Sequence, residues 1–97
     1  MLSTLGPDGM STLHTNPKRL GQVNSEVEQM GAKVLAQWAL LGQYDFCTVL
    51  EAPDERIMAK VATALGARGT LKTQTMVALP VDQFIGALDE ARAAGNI

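Results

Sequence analysis

The chain has 97 residues, of which 46% are apolar and 19% charged, and ten acidic against eight basic side chains give a formal net charge of −2 at pH 7. This length suits one domain with a single core and excludes a second domain. The charge balance argues against a sequence-blind nucleic-acid binder, which needs a clustered basic face to release counterions from phosphate.

Cysteine content and apolar run length suggest where the protein acts. The single cysteine, Cys47, excludes an intrachain disulfide and a zinc knuckle. The N-terminus lacks the basic segment followed by an apolar run that marks a secretory signal. The longest apolar stretch, residues 34–41, is interrupted by Gln37 and falls short of the roughly 18 residues that cross a membrane. We therefore expect a cytoplasmic protein that contacts neither membrane nor nucleic acid.

The first third of the chain predicts a strand and two helical segments. Residues 1–5 alternate apolar and polar side chains, and residues 6–9 (Gly-Pro-Asp-Gly) are typical of a turn. Helical spacing then extends to Gly31, with a break after His14 where the Asn-Pro pair at 16–17 starts the second segment.

The middle of the chain predicts a β-hairpin and a helix. Residues 32–41 form a strand that is apolar on both faces, and residues 44–51 return beside it. We expect Gly42 to take a positive φ in the turn between them. Residues 52–55 (Ala-Pro-Asp-Glu) start a helix that ends at Gly66.

The last third predicts a long strand and a helix. Residues 70–79 alternate between two faces, and Pro80 ends the strand. Apolar residues at helical spacing predict a helix over residues 81–94, and residues 95–97 are a frayed tail.

This order of elements is the βαββαβ arrangement of ferredoxin-like α+β folds, with an added C-terminal helix. Two right-handed crossovers place both main helices on one face of a four-stranded antiparallel sheet. The other face is then bare and apolar, and the simplest cover is a second copy related by a two-fold axis. We expect a homodimer of facing sheets, with an interface at Trp38, Cys47, Val49 and Met76.

Four segments carry a resemblance to a known family. They are Met-Gly-Ala-Lys-Val-Leu-Ala-Gln-Trp-Ala-Leu-Leu-Gly-Gln-Tyr-Asp-Phe at 30–46, Glu-Ala-Pro-Asp at 51–54, Leu-Gly-Ala-Arg-Gly-Thr at 65–70 and Thr-Gln-Thr at 73–75. With these segments the chain resembles the GYD domain family, which is named for the Gly-x-Tyr-Asp turn that stands here at residues 42–45. The resemblance implies that residues 1–97 form one ferredoxin-like domain of a dimeric α+β barrel, in a functionally uncharacterised family.

The chain departs from the family pattern in two places. Family members usually begin with a few more strand residues before the position of Met1, so the central first strand looks shortened, and we favour a misplaced start as the reason. A short strand leaves ladder groups on its neighbours unpaired, at about 1 kcal/mol or more for each buried group. Trp38 stands where the resemblance implies a tyrosine, which puts any chemistry of that hydroxyl in doubt.

His14, Tyr44 and Asp45 are the candidates for catalysis. His14 is the only histidine, the residue type best suited to proton exchange in catalysis, but it also suits a surface position at a helix end. It has no second histidine or cysteine pair with which to form a metal site, so we expect no metal or cofactor. Tyr44 and Asp45 together can orient or accept a proton, whereas the alternative is a structural turn in which Asp45 binds backbone amides.

Tyr44, Arg68, Lys72, Thr73 and Thr75 are the candidates for ligand binding. Arg68 lies between two glycines and is followed by a lysine and two hydroxyls, a combination that suits a carboxylate or phosphate. The alternative for Arg68 is a salt bridge, to Glu51, to Asp45 or across the dimer. The alternative for the two threonines is cross-strand hydrogen bonding to Thr48. Cys47 fits a small buried apolar side chain better than a nucleophile.

Three functions remain open on this evidence. The first is a non-catalytic homodimer that binds a small anionic or amphipathic molecule, and it is favoured because catalytic side chains are sparse. The second is a cofactor-independent enzyme, similar in style to the monooxygenases and isomerases found on dimeric α+β barrels. The third is a purely structural oligomerisation module.

Overall fold

The computed structural model describes residues 1–95 and has an α+β architecture with one four-stranded antiparallel sheet. Its elements within that range are β1 (Leu2–Leu5), α1 (Pro7–Thr15), α2 (Arg19–Gln29), β2 (Lys33–Ala39), β3 (Phe46–Glu51), α3 (Glu55–Ala67), β4 (Leu71–Gln74) and α4 (Val81–Ala93). The strand order is β2-β3-β1-β4, which confirms the predicted ferredoxin-like topology with the first and third strands in the centre. No helix in this range is both long and apolar enough to cross a bilayer.

Local sequence signals explain where several elements begin and end. The Asp54 side chain caps α3 by accepting a hydrogen bond from the Ile57 amide at 3.0 Å. The chain leaves α2 through Gly31 at φ 109°, and Gly42 has φ 140° in the β2–β3 connection, as predicted.

The core lies between the sheet and the helices α2 and α3. Val27, Ala32, Val61 and Leu65 form its buried cluster, and Val61 is completely inaccessible. Partly buried residues from β2, β3 and β4 surround this cluster. We define the sheet face that packs on it as the inner face, and the opposite one as the outer face.

The predicted turn at residues 6–9 is wrong, because these residues begin α1. Pro7 occupies the first helical position, where its missing N–H costs nothing, and the Met10 amide donates to the Gly6 carbonyl at 2.9 Å. Gly9 is needed for close packing, since a Cβ there would lie 2.4 Å from the Thr70 carbonyl oxygen.

Three other predicted boundaries also shift. The helix α2 starts at Arg19, because residues 17–18 form a turn ahead of it. The helix α3 continues through Gly66, and the chain turns away at Gly69 with φ 72°. The strand β3 starts at Phe46, because residues 41–45 widen the hairpin loop. Asn96 and Ile97, in the predicted frayed tail, lie outside the described residues.

The last strand is much shorter than the predicted residues 70–79, because its neighbour is short. Leu2 pairs with Gln74, and β4 ends there. On its other side β1 pairs with β3 through Leu2 and Ser3, and Met1 exchanges hydrogen bonds with Thr48. Beyond these pairs, described residues 49–50 and 75–78 flank a cavity of about 810 Å³, which residues of α3 also line. We call this gap in the sheet the strand slot.

Candidate functional site

A second cavity, of about 350 Å³, lies between the inner face of the sheet and the helices α1 and α2, and we call it the inner cavity. Apolar side chains from Met1, from all four strands and from the helices α1, α2 and α3 supply most of its wall. They include Met1, Leu5, Val34, Phe46, Leu50 and Leu71. A pocket of this kind, apolar with a few converging polar groups, is the usual form of a small-molecule site.

A chain of hydrogen bonds crosses one side of the inner cavity. The Asn24 amide donates to Gln37 Oε1 at 2.8 Å, and Gln37 Nε2 donates to Thr48 Oγ1 at 3.0 Å and to Asn24 Oδ1 at 3.3 Å. Thr48 is only 3% exposed, so its hydroxyl needs such a partner. The predicted cross-strand bond from Thr48 to the β4 threonines is therefore replaced by this bond to Gln37.

An ion-pair cluster lies beside this network. Arg68 and Arg19, which both line the inner cavity, bind the Glu26 carboxylate, with Arg19 Nη1 3.5 Å from Oε1. The hydrogen bond from Arg68, together with the positive charge of both arginines, holds the pKa of Glu26 below its ordinary value. The salt bridge predicted for Arg68 is therefore made to Glu26, and neither Glu51 nor Asp45 is its partner.

The Tyr44-Asp45 pair has a structural role in the hairpin. Asp45 Oδ2 accepts a hydrogen bond from the Leu5 amide at 2.7 Å, and the Asp45 amide donates to the Ser3 carbonyl. Asp45 thus ties the end of β2 and the start of β3 to the central strand. The Tyr44 hydroxyl donates to Gln74 Oε1 at 2.9 Å, on the outer face of β4.

The residues predicted for a dimer interface lie on or beside the outer face. Trp38 pairs with Cys47 across β2 and β3, and Val49 pairs with Ala36, so these side chains share that face. Met76 lies beyond the end of β4, at the strand slot. Trp38 is 55% exposed and Met76 also 55% exposed, which leaves this apolar surface open to solvent.

The structure does not gather the predicted ligand-binding residues into one site. Arg68 lines the inner cavity, and Thr73 points toward the same face of the sheet without lining the cavity. Lys72, like Tyr44, belongs to the outer side, and Thr75 borders the strand slot. His14 is exposed in the last turn of α1, away from both cavities.

Sequence reasoning missed Asn24, Gln37 and Glu26 as part of a site. One signal was present, because Gln37 is the polar residue that interrupts the longest apolar run. A polar side chain at such a position predicts a buried hydrogen bond. Asn24 and Glu26 had no such signal, since polar residues on a helix normally face water.

These residues favour binding more than bond-making chemistry. The inner cavity offers amide and hydroxyl groups together with two guanidinium groups, which can orient an anion or a carbonyl. Among residues 1–95, no group of three or more histidine, cysteine, aspartate or glutamate side chains is arranged to hold a metal ion.

Comparison with known proteins identifies the family. The model of the GYD domain matches residues 1–88, which is most of the chain. The chain belongs to the GYD domain family. This GYD domain is also 46% identical over 89 residues to the "Glutamine synthetase and cystathionine beta-lyase binding protein" of Thermus thermophilus, a match that covers 91% of the chain and 94% of the relative. No solved structure matches the chain significantly.

Proposed function

We propose that this GYD domain is a homodimeric, non-catalytic binding protein of the cytoplasm whose partners include other proteins. The observation that carries the proposal is the 46% identity, over nearly the full length of both chains, to a relative named for binding two enzymes. Glutamine synthetase and cystathionine beta-lyase are therefore the first partners to test. The homodimer is supported by the exposed apolar outer face, and the cytoplasmic location by the single cysteine.

The positions of the catalytic candidates support binding over catalysis. His14, Tyr44 and Asp45 line neither cavity, and Asp45 is engaged with the backbone of β1. A general base must lie within hydrogen-bond reach of the proton that it abstracts. The alternative of a cofactor-independent enzyme would place its substrate on the hairpin, outside the two cavities.

The test of the proposed function is direct binding to the two enzymes. We expect the purified chain to bind glutamine synthetase or cystathionine beta-lyase of its own organism with a Kd of about 1 μM or below, equivalent to about −8 kcal/mol. Surface plasmon resonance with immobilised chain measures the Kd, and co-elution in gel filtration measures the stoichiometry. An unrelated enzyme of similar net charge is the control. If the chain binds neither enzyme at about 50 μM, which is 50-fold above the expected Kd, the proposal is contradicted.

The inner cavity favours a second function, the binding of a small anionic or amphipathic molecule. Its volume of about 350 Å³ lies within the range of ligand pockets, and its apolar wall meets Arg68 at one side. An amphipathic carboxylate would place its chain against that wall and its charge beside the guanidinium, where it competes with Glu26. Among the predicted ligand-binding residues, Arg68 therefore takes the main role, since Tyr44, Lys72, Thr73 and Thr75 do not line this cavity.

Octanoate is a suitable probe for this second function. At ten times its Kd it is expected to raise the Tm by roughly 6–11 °C, because a ligand at concentration c that binds only the folded state stabilises it by RT ln(1 + c/Kd), about 1.4 kcal/mol here. Arg68→Ala is expected to abolish the shift, whereas the control Arg56→Ala, on an exposed part of α3 outside the cavity, retains it. Differential scanning fluorimetry measures both. An equal shift in the two variants, or no shift in the native chain, rejects this function.

A further inference from the structure

The C-terminal arm, which we define as residues 75–93, has an apolar surface that its own chain leaves uncovered. None of the residues of α4 is buried, and none of the main packing contacts between elements of residues 1–95 involves this helix. The arm exposes large apolar side chains over 41–95% of their surface; these are Met76, Val77, Leu79, Val81, Phe84, Ile85 and Leu88. Val81, Phe84, Ile85 and Leu88 recur at helical spacing and form one stripe along α4.

The dimensions of the molecule show that the arm projects from the body. The radius of gyration is 16.6 Å and the longest extent is 57 Å. A compact chain of this length has a radius of gyration of about 12–13 Å. The six residues before α4 can span roughly 20 Å when extended, and the helix adds about 20 Å. The arm is therefore long enough to reach across a neighbouring molecule.

A second uncovered apolar surface lies at the opposite edge of the sheet. The strand β2 is one edge strand and β4, from which the arm departs, is the other. Leu35, Trp38 and Leu41, in or just after β2, are 51%, 55% and 105% exposed. We call these three residues the β2 patch. Exposed apolar side chains of this kind can bind the apolar stripe of an amphipathic helix.

One two-fold arrangement of facing sheets brings these two surfaces together. When two copies face each other through their outer faces, with the two-fold axis along the strands, the β4 edge of each copy lies opposite the β2 edge of the other. An arm that leaves β4 then arrives at the partner's β2 edge. The exchange is reciprocal, so each copy buries one arm and one β2 patch. This added burial brings the buried surface closer to the value of about 800 Å² per partner that is typical of a stable interface.

We propose that the C-terminal arm is exchanged between two copies of this chain, with the apolar stripe of α4 packed on the β2 patch of the other copy. The inference rests on the homodimer of the proposed function and goes beyond it, because a dimer of facing sheets alone does not need the arm. In this arrangement α4 holds the two copies together, and its apolar side chains cover the exposed β2 edge of the partner.

A complementation experiment tests the exchange. Phe84→Asp places a charge in the apolar stripe of the arm, and Trp38→Asp places one in the β2 patch. A dimer has two arm-to-patch contacts related by symmetry, and a dimer made of either variant alone loses both of them. We expect each to raise the dimer Kd about 100-fold or more, since a carboxylate is buried among apolar side chains. A mixture of the two restores one intact contact, between the arm of the Trp38→Asp subunit and the patch of the Phe84→Asp subunit. Sedimentation velocity should show partial recovery of the dimer.

Fluorescence reports the restored contact by itself. Trp38 is the only tryptophan, so with excitation selective for tryptophan the Trp38→Asp subunit is dark and the emission of the mixture comes from the patch of the Phe84→Asp subunit. Adding the dark subunit should shift the emission to the blue, whereas the double variant Trp38→Asp/Phe84→Asp should not. Gln83→Asp, on the opposite side of α4, is the matched control and should leave the native dimer intact.

The outcomes separate the arm from the dimer. If the native chain is a dimer and Phe84→Asp dissociates no more than Gln83→Asp, the exchange is rejected and the homodimer stands. If the mixture fails to recover, or the double variant shifts the emission equally, the exchange is also rejected. The native chain is also measured at about 100 μM, which is about 100-fold above the Kd expected for a stable dimer. If it is still a monomer at that concentration, both the exchange and the proposed homodimer are rejected.

Discussion

Leu65→Ala is expected to lower the free energy of unfolding by about 3–4 kcal/mol, a large part of the stability of a domain of this size. Leu65 is 2% exposed and belongs to the buried cluster between α2, α3 and the sheet. Removal of its three terminal carbons loses their transfer free energy and leaves a void that the surroundings fill only partly. The Tm should fall by roughly 12–32 °C, as measured by differential scanning calorimetry.

Met10→Ala is the matched control for this substitution. Met10 is also a large apolar residue on a helix, but it is 47% exposed, so its truncation should cost less than about 1 kcal/mol. Equal effects of the two variants would show that Leu65 is not in the core. The comparison therefore tests the location of the core as well as its strength.

An engineered extension of β1 is expected to raise stability by about 2–4 kcal/mol. Four residues of alternating, β-branched character added before Met1 would continue the strand into the strand slot. Continuing the observed register, the first added residue lies opposite Val49 and Met76, and the next lies opposite Leu50 and Val77. Each added residue gives the facing backbone groups of β3 and of residues 75–78 a partner.

Hydrogen exchange and calorimetry measure this effect. We expect slower exchange at the amides of residues 49–51 and 76–78, an extension of β4 toward residue 78, and a rise in Tm of about 8–32 °C. An added Gly-Ser-Gly-Ser segment of equal length has little tendency to form a strand and serves as the control. If the two extensions give the same exchange rates and Tm, the slot does not accept a strand.

Most of the fold could be predicted from the residues because the signals are local. The apolar spacing of α2 and α3, the helix start at residues 52–55 and the positive φ of Gly42 each depend on a few neighbouring residues. The prediction was wrong at residues 6–9, where the same residue types are typical of two different local structures. Pro7 and Asp8 suit both a turn and the first turn of a helix, and the close approach of Gly9 to Thr70 belongs to the helix.

The candidate site was less predictable, because it consists of residues far apart in the chain. Arg68 was singled out by its flanking glycines, but its partner Glu26 lies 42 positions away on another helix. The network of Asn24, Gln37 and Thr48 likewise joins one helix to two strands. No spacing rule relates such residues before the sheet and the helices have been packed together.

The sequence by itself determined the order of the elements, the ferredoxin-like topology and the family, because periodicity, capping residues and short motifs act within a few residues. Only the tertiary structure decided where β4 ends, since the alternation of residues 70–79 predicts a strand but a strand needs a hydrogen-bonded neighbour. It also decided which arginine meets which carboxylate and that α4 projects from the body. These features depend on the positions of distant backbone segments, and such positions are set by packing over the whole domain.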